Sequence, residues 1–391
     1  MNTNPAPPTS STIQLPVTSF SGKTIGGVEK RLDTEMNKSK AALTIPEGKR
    51  GSLESPINRL PPEILAEIFR ESCIDEEWPL EPDLNAFSVV LSVVCSHWWE
   101  VATTTAALWS TIILQISDWP SSTHDKLFRT VQLFVSRSKQ HPLKISLDFF
   151  TGPAAELVVQ NCDRWSSVDL RFKGPTFPHL LGDIHGRLPL LERLKVDCDD
   201  DSSLRSHLIN IFSHAPALHS LELVCCATST RWNLPWHQIR HVRVVRCVEA
   251  DIYSVLPLLR NANEIVIEGL ESDRVGPGLD TPSLGARSVS IGVGDYGDEN
   301  HLILDRFFNA WTFPSLDTLR VVDRHHRLAG RKSWDVAPLR ECLLRSSCTG
   351  FLSSLHIGGL RIPDVQMISV LELTPSLRSL TIVDYGHREV N

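Results

Sequence analysis

Gly292, Gly294 and Gly297 have the spacing of a dinucleotide-binding turn, in which glycines let the backbone approach a pyrophosphate at a helix N-terminus. A predicted strand, 288–291, precedes them and a predicted helix follows. Asp323 stands after the next strand, where a ribose-binding acid is sought. Against this, Asp295, Asp298 and Glu299 crowd the turn where pyrophosphate needs positive potential and N–H groups. The turn also belongs to one of several similar units, not to the first βαβ of a doubly wound sheet. It reads as a Gly-rich connection, and no cofactor is expected.

Cys225, Cys226, Cys247 and His241 are the candidate metal ligands, but they lack C-x-x-C and paired-histidine spacing. Adjacent thiols at a strand end point to opposite faces, so one buried and one exposed cysteine are expected there, and no metal. Asp199, Asp200 and Asp201 after Cys198 lack the alternating oxygen spacing of a calcium loop and suit the cap of a following helix. His325 and His326 lie between Arg324 and Arg327 in a solvated basic loop. Cys95 has no evident base beside it and reads as a packed thiol. The sequence contains no Gly-x-Ser-x-Gly elbow, Walker loop or His-Glu-x-x-His. With no catalytic constellation, the chain is read as a non-enzyme.

Composition narrows the classes further. The chain has 391 residues, 41% hydrophobic and 22% charged, which allows two or more domains with a substantial core. A formal net charge of −7 gives no electrostatic footprint for nucleic acid. No apolar run approaches the ~18 residues a bilayer span needs. The start of the chain lacks the charged and apolar regions of a signal peptide. Nine cysteines, single except for Cys225 and Cys226, fit a reducing compartment. Neither membrane nor nucleic acid is expected as a partner, and the expected location is cytoplasmic or nuclear. With no export signal, the sequon at Asn37 reads as accidental.

The positioning elements begin at residue 57. Leu60, Pro61, Pro62 and Glu63 form a helix start: proline is preset for the first turn and Glu63 suits the positive helix end. Ile64, Leu65, Ile68 and Phe69 then recur at helical spacing. Val90, Leu91, Val94, Cys95 and Trp98 repeat the arrangement about 25 residues later, in a second amphipathic segment. Two such small helices suit docking better than independent folding.

This pair closely resembles the F-box. The family's Leu-Pro-x-Glu-[Ile/Leu]-Leu-x-x-Ile-Phe start is matched from Leu60 to Phe69, and its later Val-Cys-x-x-Trp helix by Val94, Cys95 and Trp98. Leu108, Trp109, Ser110 and Ile112 resemble the Leu-Trp-Ser-x-Ile that follows the box in many proteins of a large fungal family. The resemblance covers residues 55–117 and departs from the pattern at two points, the acidic spacer 75–85 and Trp99. It implies docking to a Skp-type adaptor, and through it to a cullin, by Leu60, Pro61, Ile64, Leu65, Ile68, Phe69, Leu91, Val94, Cys95 and Trp98. Leu60, Pro61, Ile64 and Leu65 are the first choices for the interface.

Residues 1–54 are rich in Pro, Ser, Thr, Lys and Gly and read as disordered, with a short helix at 28–43 as an option. From 118 to 391 one phrase returns: Pro189 to Val196, Pro216 to Leu223, Pro314 to Val321 and Pro375 to Ile382 share a Leu-x-x-Leu-x-Leu pattern. Weaker copies lie between them, at 238–245, 263–268, 286–291 and 352–357, and before them, at 143–149 and 165–172. Helical stretches are predicted at 203–214, 303–311, 338–346 and 363–373. The period suits degenerate leucine-rich repeats. The expected fold is α+β and multidomain: a small all-helical F-box, then an α/β leucine-rich-repeat-like solenoid with a parallel sheet. A conventional domain of alternating strands and helices is the competing arrangement. No polar capping unit is evident before Asn391, so an open or truncated end is expected.

The function implied is that of a substrate receptor in an SCF-type ubiquitin ligase, which holds a protein substrate near the charged enzyme. A non-ligase interaction scaffold is the alternative, and a nucleotide enzyme at 292–297 a distant third. In each repeat strand the residue between the two inner apolar positions faces outward. Lys195, Glu222, Arg243, Val266, Ser290, Arg320, His356 and Thr381 hold that place. Among them Lys195, Glu222, Arg243, Arg320 and His356 are the candidate substrate contacts. The loops 271–284 and 323–332 are the other candidate surfaces.

Overall fold

Alternation of apolar and polar residues makes strands, and here it makes eleven: β1 (Thr111–Gln115), β2 (Leu143–Asp148), β3 (Trp165–Phe172), β4 (Arg193–Cys198), β5 (Ser220–Val224), β6 (His241–Val248), β7 (Glu264–Glu271), β8 (Ser288–Val293), β9 (Thr318–Asp323), β10 (Ser354–Gly358) and β11 (Ser379–Val383). They form one all-parallel sheet in strict chain order, β1 to β11, so every neighbour in space is the next strand in sequence. The computed structural model describes residues 56–74, 80, 86–115, 121–148, 152–172, 179–198, 210–225, 233–272, 283–293, 300–323 and 333–383. The expected disordered segment 1–54, the loop 324–332, the core of the loop 271–284 and most of the predicted helix 203–214 lie outside them.

Parallel pairing needs a crossover on one side of the sheet after each strand. Helices supply several of these: α4 (Ser121–Arg137), α5 (Pro153–Gln160), α6 (Glu249–Val255), α7 (Asn300–Ala310), α8 (Ala337–Ser346) and α9 (Asp364–Leu373). Short 3₁₀ turns such as His179–Ile184 and Trp236–Gln238 serve elsewhere. Because successive side chains alternate, two apolar columns face the crossovers. One runs Ile112, Ile145, Val168, Leu194, Leu221, Val242, Ile265, Val289, Leu319 and Leu355, every member buried. At β11 the columns end on Leu380 and Ile382, which are 42% and 54% exposed, because among the described residues no further strand covers them.

Register is held by a device that repeats with the strands. The carbonyl of Glu192 accepts the N–H groups of both His219 and Ser220 at 3.1 Å. The carbonyls of His219, Arg240, Asn263, Arg287, Asp317 and Ser353 do the same for the next pair along. One carbonyl thus pins two donors of the following unit, and a slip of one residue would turn each apolar column outward.

Among the described residues before the sheet lie three α-helices, α1 (Pro62–Ile74), α2 (Phe87–Ser92) and α3 (Ser96–Thr104), and a 3₁₀ turn at Ala106–Trp109. The core runs without a break from Leu65 and Phe69 through Trp109 into the columns of the sheet. Strand β1 follows Trp109 directly, so the segment 55–117 carries the first strand as well as the helices. In the acidic spacer, Leu80 is buried and donates its N–H to the carbonyl of Ile113 at 2.8 Å, which partly covers the edge of β1.

One charged pair is built into the crossover layer. Glu249, 2% exposed at the start of α6, accepts Nε of Arg306 at 2.8 Å and Nη2 at 2.6 Å. Arg306 also donates to Ser272 Oγ at 2.9 Å, so α7 is tied to the β6 and β7 units. A bidentate pair of this kind is strong only while both partners remain. Glu249→Gln is expected to lower stability by about 2–3 kcal/mol, because Arg306 keeps hydrogen bonds but loses its counter-charge. Urea unfolding measures it, and an unchanged midpoint would show that the pair is energetically idle.

Candidate functional site

Two surfaces carry the residues singled out by the sequence. The first is the helical module. α1 begins at Pro62, and the carbonyl of Pro61 accepts the N–H groups of Ile64 and Leu65, both at 3.0 Å. A helix buries only the stripe that meets a neighbour, and the apolar residues of α1 divide accordingly. Leu65 and Phe69 are sealed in the core, and Phe69 packs against Trp98 with the rings tilted 59° to each other and their centroids 4.8 Å apart. Ile64 and Ile68, one turn apart, are 51% and 39% exposed.

The second segment is not one helix. α2 ends at Ser92, whose hydroxyl donates to the carbonyl of Val89 at 2.7 Å. Cys95 is extended, and its Sγ accepts the N–H of Trp98 at 3.5 Å. The expected packed helical thiol is therefore the N-cap of α3, a correction that helical periodicity across 90–98 had hidden. The turn turns Val94 outward, 48% exposed, while Leu91 stays in the core. Leu60, Cys95 and Trp98 are half-buried and Pro61 is exposed. Of the ten docking candidates, Pro61, Ile64, Ile68 and Val94 are well exposed, and Leu65, Phe69 and Leu91 are not accessible at all. Val90 and Val93, absent from the docking set, are exposed too. Their spacing to Val94 was the available signal.

The second surface is the outward side of the sheet. Lys195, Glu222, Arg243, Val266, Ser290, Arg320, His356 and Thr381 fall in one continuous register across eight strands. Most of the charges in its first half are paired with each other. Lys195 Nζ lies 3.2 Å from Asp169 and 3.9 Å from Glu222, Arg243 lies 3.0 Å from Glu268, and Arg246 lies 3.9 Å from Asp197. Such pairs are half-solvated, and each contributes only about 0–1 kcal/mol. Their effect is to occupy the charges. Arg320 differs: among the described residues no carboxylate pairs with it.

Among the described residues no group of three or more His, Cys, Asp or Glu is placed to hold a metal ion. Cys225 is half-buried with left-handed backbone (φ 51°) and Cys247 is buried. Burial, then the nearby Asp251 carboxylate, pushes the Cys247 thiol far above the usual range. Cys342, behind the sheet, is likewise raised by burial, to about 11, and its thiol donates to the carbonyl of Trp311 at 3.3 Å. A thiol with a folded pKa above its unfolded value near 9.0 favours the folded state at lower pH and loses that contribution as pH rises toward 11. Stability should therefore fall with pH in that window, by up to about 1.4 kcal/mol per unit from this thiol. Cys342→Ser, which keeps a donor for Trp311 but does not titrate there, should show a shallower fall in urea midpoints at pH 8, 9, 10 and 11.

Gly292 and Val293 finish β8, and 294–299 lie outside the described residues. The sheet order has no reversal, and it is at reversals that doubly wound sheets open a nucleotide crevice. One Ser/His grouping was not foreseen. Ser213 Oγ lies 2.9 Å from His214 Nδ1 and 3.2 Å from His185 Nε2, in the turns before β5 and β4. Its hydroxyl also donates to the carbonyl of Asn210 at 2.8 Å, so it is not activated as a nucleophile.

No protein-family model matches the chain, and no curated protein matches it. Among the described residues no helix is long and apolar enough to cross a membrane. Fold and surfaces together define a chain of helices and an eleven-stranded parallel sheet, with an apolar helical edge at one end.

Proposed function

We propose that this chain is the substrate-receptor subunit of an SCF-type ubiquitin ligase, with residues 55–117 as an F-box and the following sheet as a degenerate leucine-rich-repeat receptor. The observation that carries the reading is the division of the F-box-like motif. Leu65, Phe69 and Leu91 belong to the buried core, while Pro61, Ile64 and Ile68 at α1 and Val94 in the turn before α3 remain exposed. A water-exposed apolar helix edge suits insertion into the groove of a Skp-type adaptor, which in turn binds a cullin. The receptor performs no chemistry itself; it raises the local concentration of a protein substrate near the charged enzyme. Cytoplasm or nucleus is the location that goes with this role.

The alternative, a scaffold that binds the adaptor without assembling a ligase, is separated by one experiment. Purified Skp-type adaptor should be captured by the full chain, and a cullin should co-purify through it. Leu60→Ala with Pro61→Ala should reduce both. Adaptor without cullin selects the scaffold, and capture of neither overturns both readings.

A further inference from the structure

On the outward face of the sheet, pairing of polar groups stops at β8. Between β3 and β7 the charged members of the row and its neighbours sit in ion pairs: Lys195 with Asp169 and Glu222, and Arg243 with Glu268, link adjacent strands, Arg171 pairs with Asp169 within β3, and Arg246 reaches Asp197 two strands away. The next strands carry Ser290, Arg320 and His356 directly beside one another in register. Neighbouring strands lie about 4.8 Å apart, so Arg320 stands in register between Ser290 and His356. Among the described residues the side chains of the three have no hydrogen-bond or ion-pair partner, and Nε2 of His356 is among the buried atoms without one. Arg320 is thus an exposed cation without a counter-ion among the described residues, on a face whose other cations are largely paired, and charge complementarity favours an anion there.

From this juxtaposition we infer that Arg320, flanked by Ser290 and His356, is the receptor's anchor for a single carboxylate on an acidic peptide segment of its substrate. A planar guanidinium takes a carboxylate through two parallel N–H···O bonds, and the Ser290 hydroxyl is placed to donate to the same group. Charge count selects a carboxylate over a phosphoryl group. One cation balances a monoanion, whereas a dianionic phosphate is usually met by several cations. Burial and the adjacent Arg320 both lower the pKa of His356, so its ring adds no second charge at neutral pH. Lys195 and Arg243, candidates on type alone, are already engaged by Asp169, Glu222 and Glu268.

The inference rests on the receptor reading, and its test uses the full chain without adaptor, so that either can fail alone. A blocked short peptide bearing one glutamate is titrated against the chain, alongside its glutamine and phosphoserine counterparts, with binding followed by NMR of the arginine Nε–H and histidine ring signals. The glutamate peptide should shift the Arg320 and His356 signals saturably, and the glutamine peptide should not. Arg320→Gln should weaken glutamate-peptide binding about 10- to 100-fold and erase that preference. Arg243→Gln should bind as the unaltered chain does. Equal binding by Arg320→Gln, equal harm from Arg243→Gln, absence of any saturable shift, or tenfold tighter binding of the phosphoserine peptide would each overturn the assignment. Adaptor capture by the same preparations reports separately on the helical module.

Discussion

Ile64→Asp combined with Ile68→Asp is expected to weaken capture of a Skp-type adaptor by about 10³-fold while leaving the unfolding midpoint nearly unchanged. The size follows from interface physics: two central apolar anchors are each worth about 2 kcal/mol or more when buried by a partner. Together they reach about 4 kcal/mol, and every 1.4 kcal/mol is tenfold. The lack of a stability effect follows from exposure, since both side chains already face water. Leu65→Asp is the contrast. It puts a carboxylate into the sealed core and should unfold the module, so its loss of binding would say nothing about docking. The double variant is measured by titrating purified adaptor and by thermal unfolding of the same sample. Retained capture within about threefold would place the docking surface elsewhere, with Val90, Val93 and Val94 next in line.

Trp109→Ala should destabilise the whole protein by about 3–5 kcal/mol, the usual cost of removing a buried tryptophan. Trp109 is fully buried where the helical module meets β1. Its Nε1 donates to the carbonyl of Ala102 at 2.8 Å, closing the end of α3. Its ring meets Phe134 of α4 edge-on at 5.2 Å, and the guanidinium of Arg137 lies over it at 4.7 Å. One side chain therefore joins α3, α4 and the first strand, and its loss removes packing from all three at once. Trp109→Phe keeps an aromatic ring but loses the Nε1 donor, and should cost about 1–2 kcal/mol. Urea unfolding followed by circular dichroism gives both values. Equal midpoints for Trp109→Ala and the unaltered chain would mean the module and the sheet are energetically independent.

This coupling bears on the proposed function. A receptor must hold its substrate in a defined direction relative to the adaptor, and a core continuous from Leu65 into the sheet supplies that rigidity. A loosened Trp109 would leave adaptor capture through Ile64 and Ile68 intact but make the receptor face less well positioned. The two Discussion variants thus act on different links, one on docking and the other on transmission.

Much was legible in the sequence because it depends on short-range pattern. Period-two alternation marked the strands, including the row from Lys195 to Thr381, and the Leu-x-x-Leu-x-Leu phrase marked their repetition. Pro62 and Glu63 marked the start of α1 for equally local reasons, a preset φ and the helix dipole. The break between α2 and α3 was not legible. Val90, Leu91, Val94, Cys95 and Trp98 fit one helical stripe, and a cysteine acting as an N-cap lies outside the usual Ser, Thr, Asp and Asn signal.

By itself, then, the sequence determined the strands, which side of each is apolar, some of the helices and the motif that suggests adaptor docking; the helices Ser121–Arg137, Pro153–Gln160 and Glu249–Val255 were not read from it. Only the tertiary structure decided which apolar residues of that motif remain available and which cations of the outward sheet face remain unpaired. The reason is physical. Ile64 and Leu65 are chemically equivalent neighbours on one helix, and only the position of α2, α3 and the 3₁₀ turn makes one core and the other surface. Arg243 and Arg320 hold the same place in their strands, yet Glu268, 25 residues further along the chain, neutralises the first, and no such carboxylate among the described residues meets the second. Alternation is a property of the chain; partnership is a property of its folded neighbours.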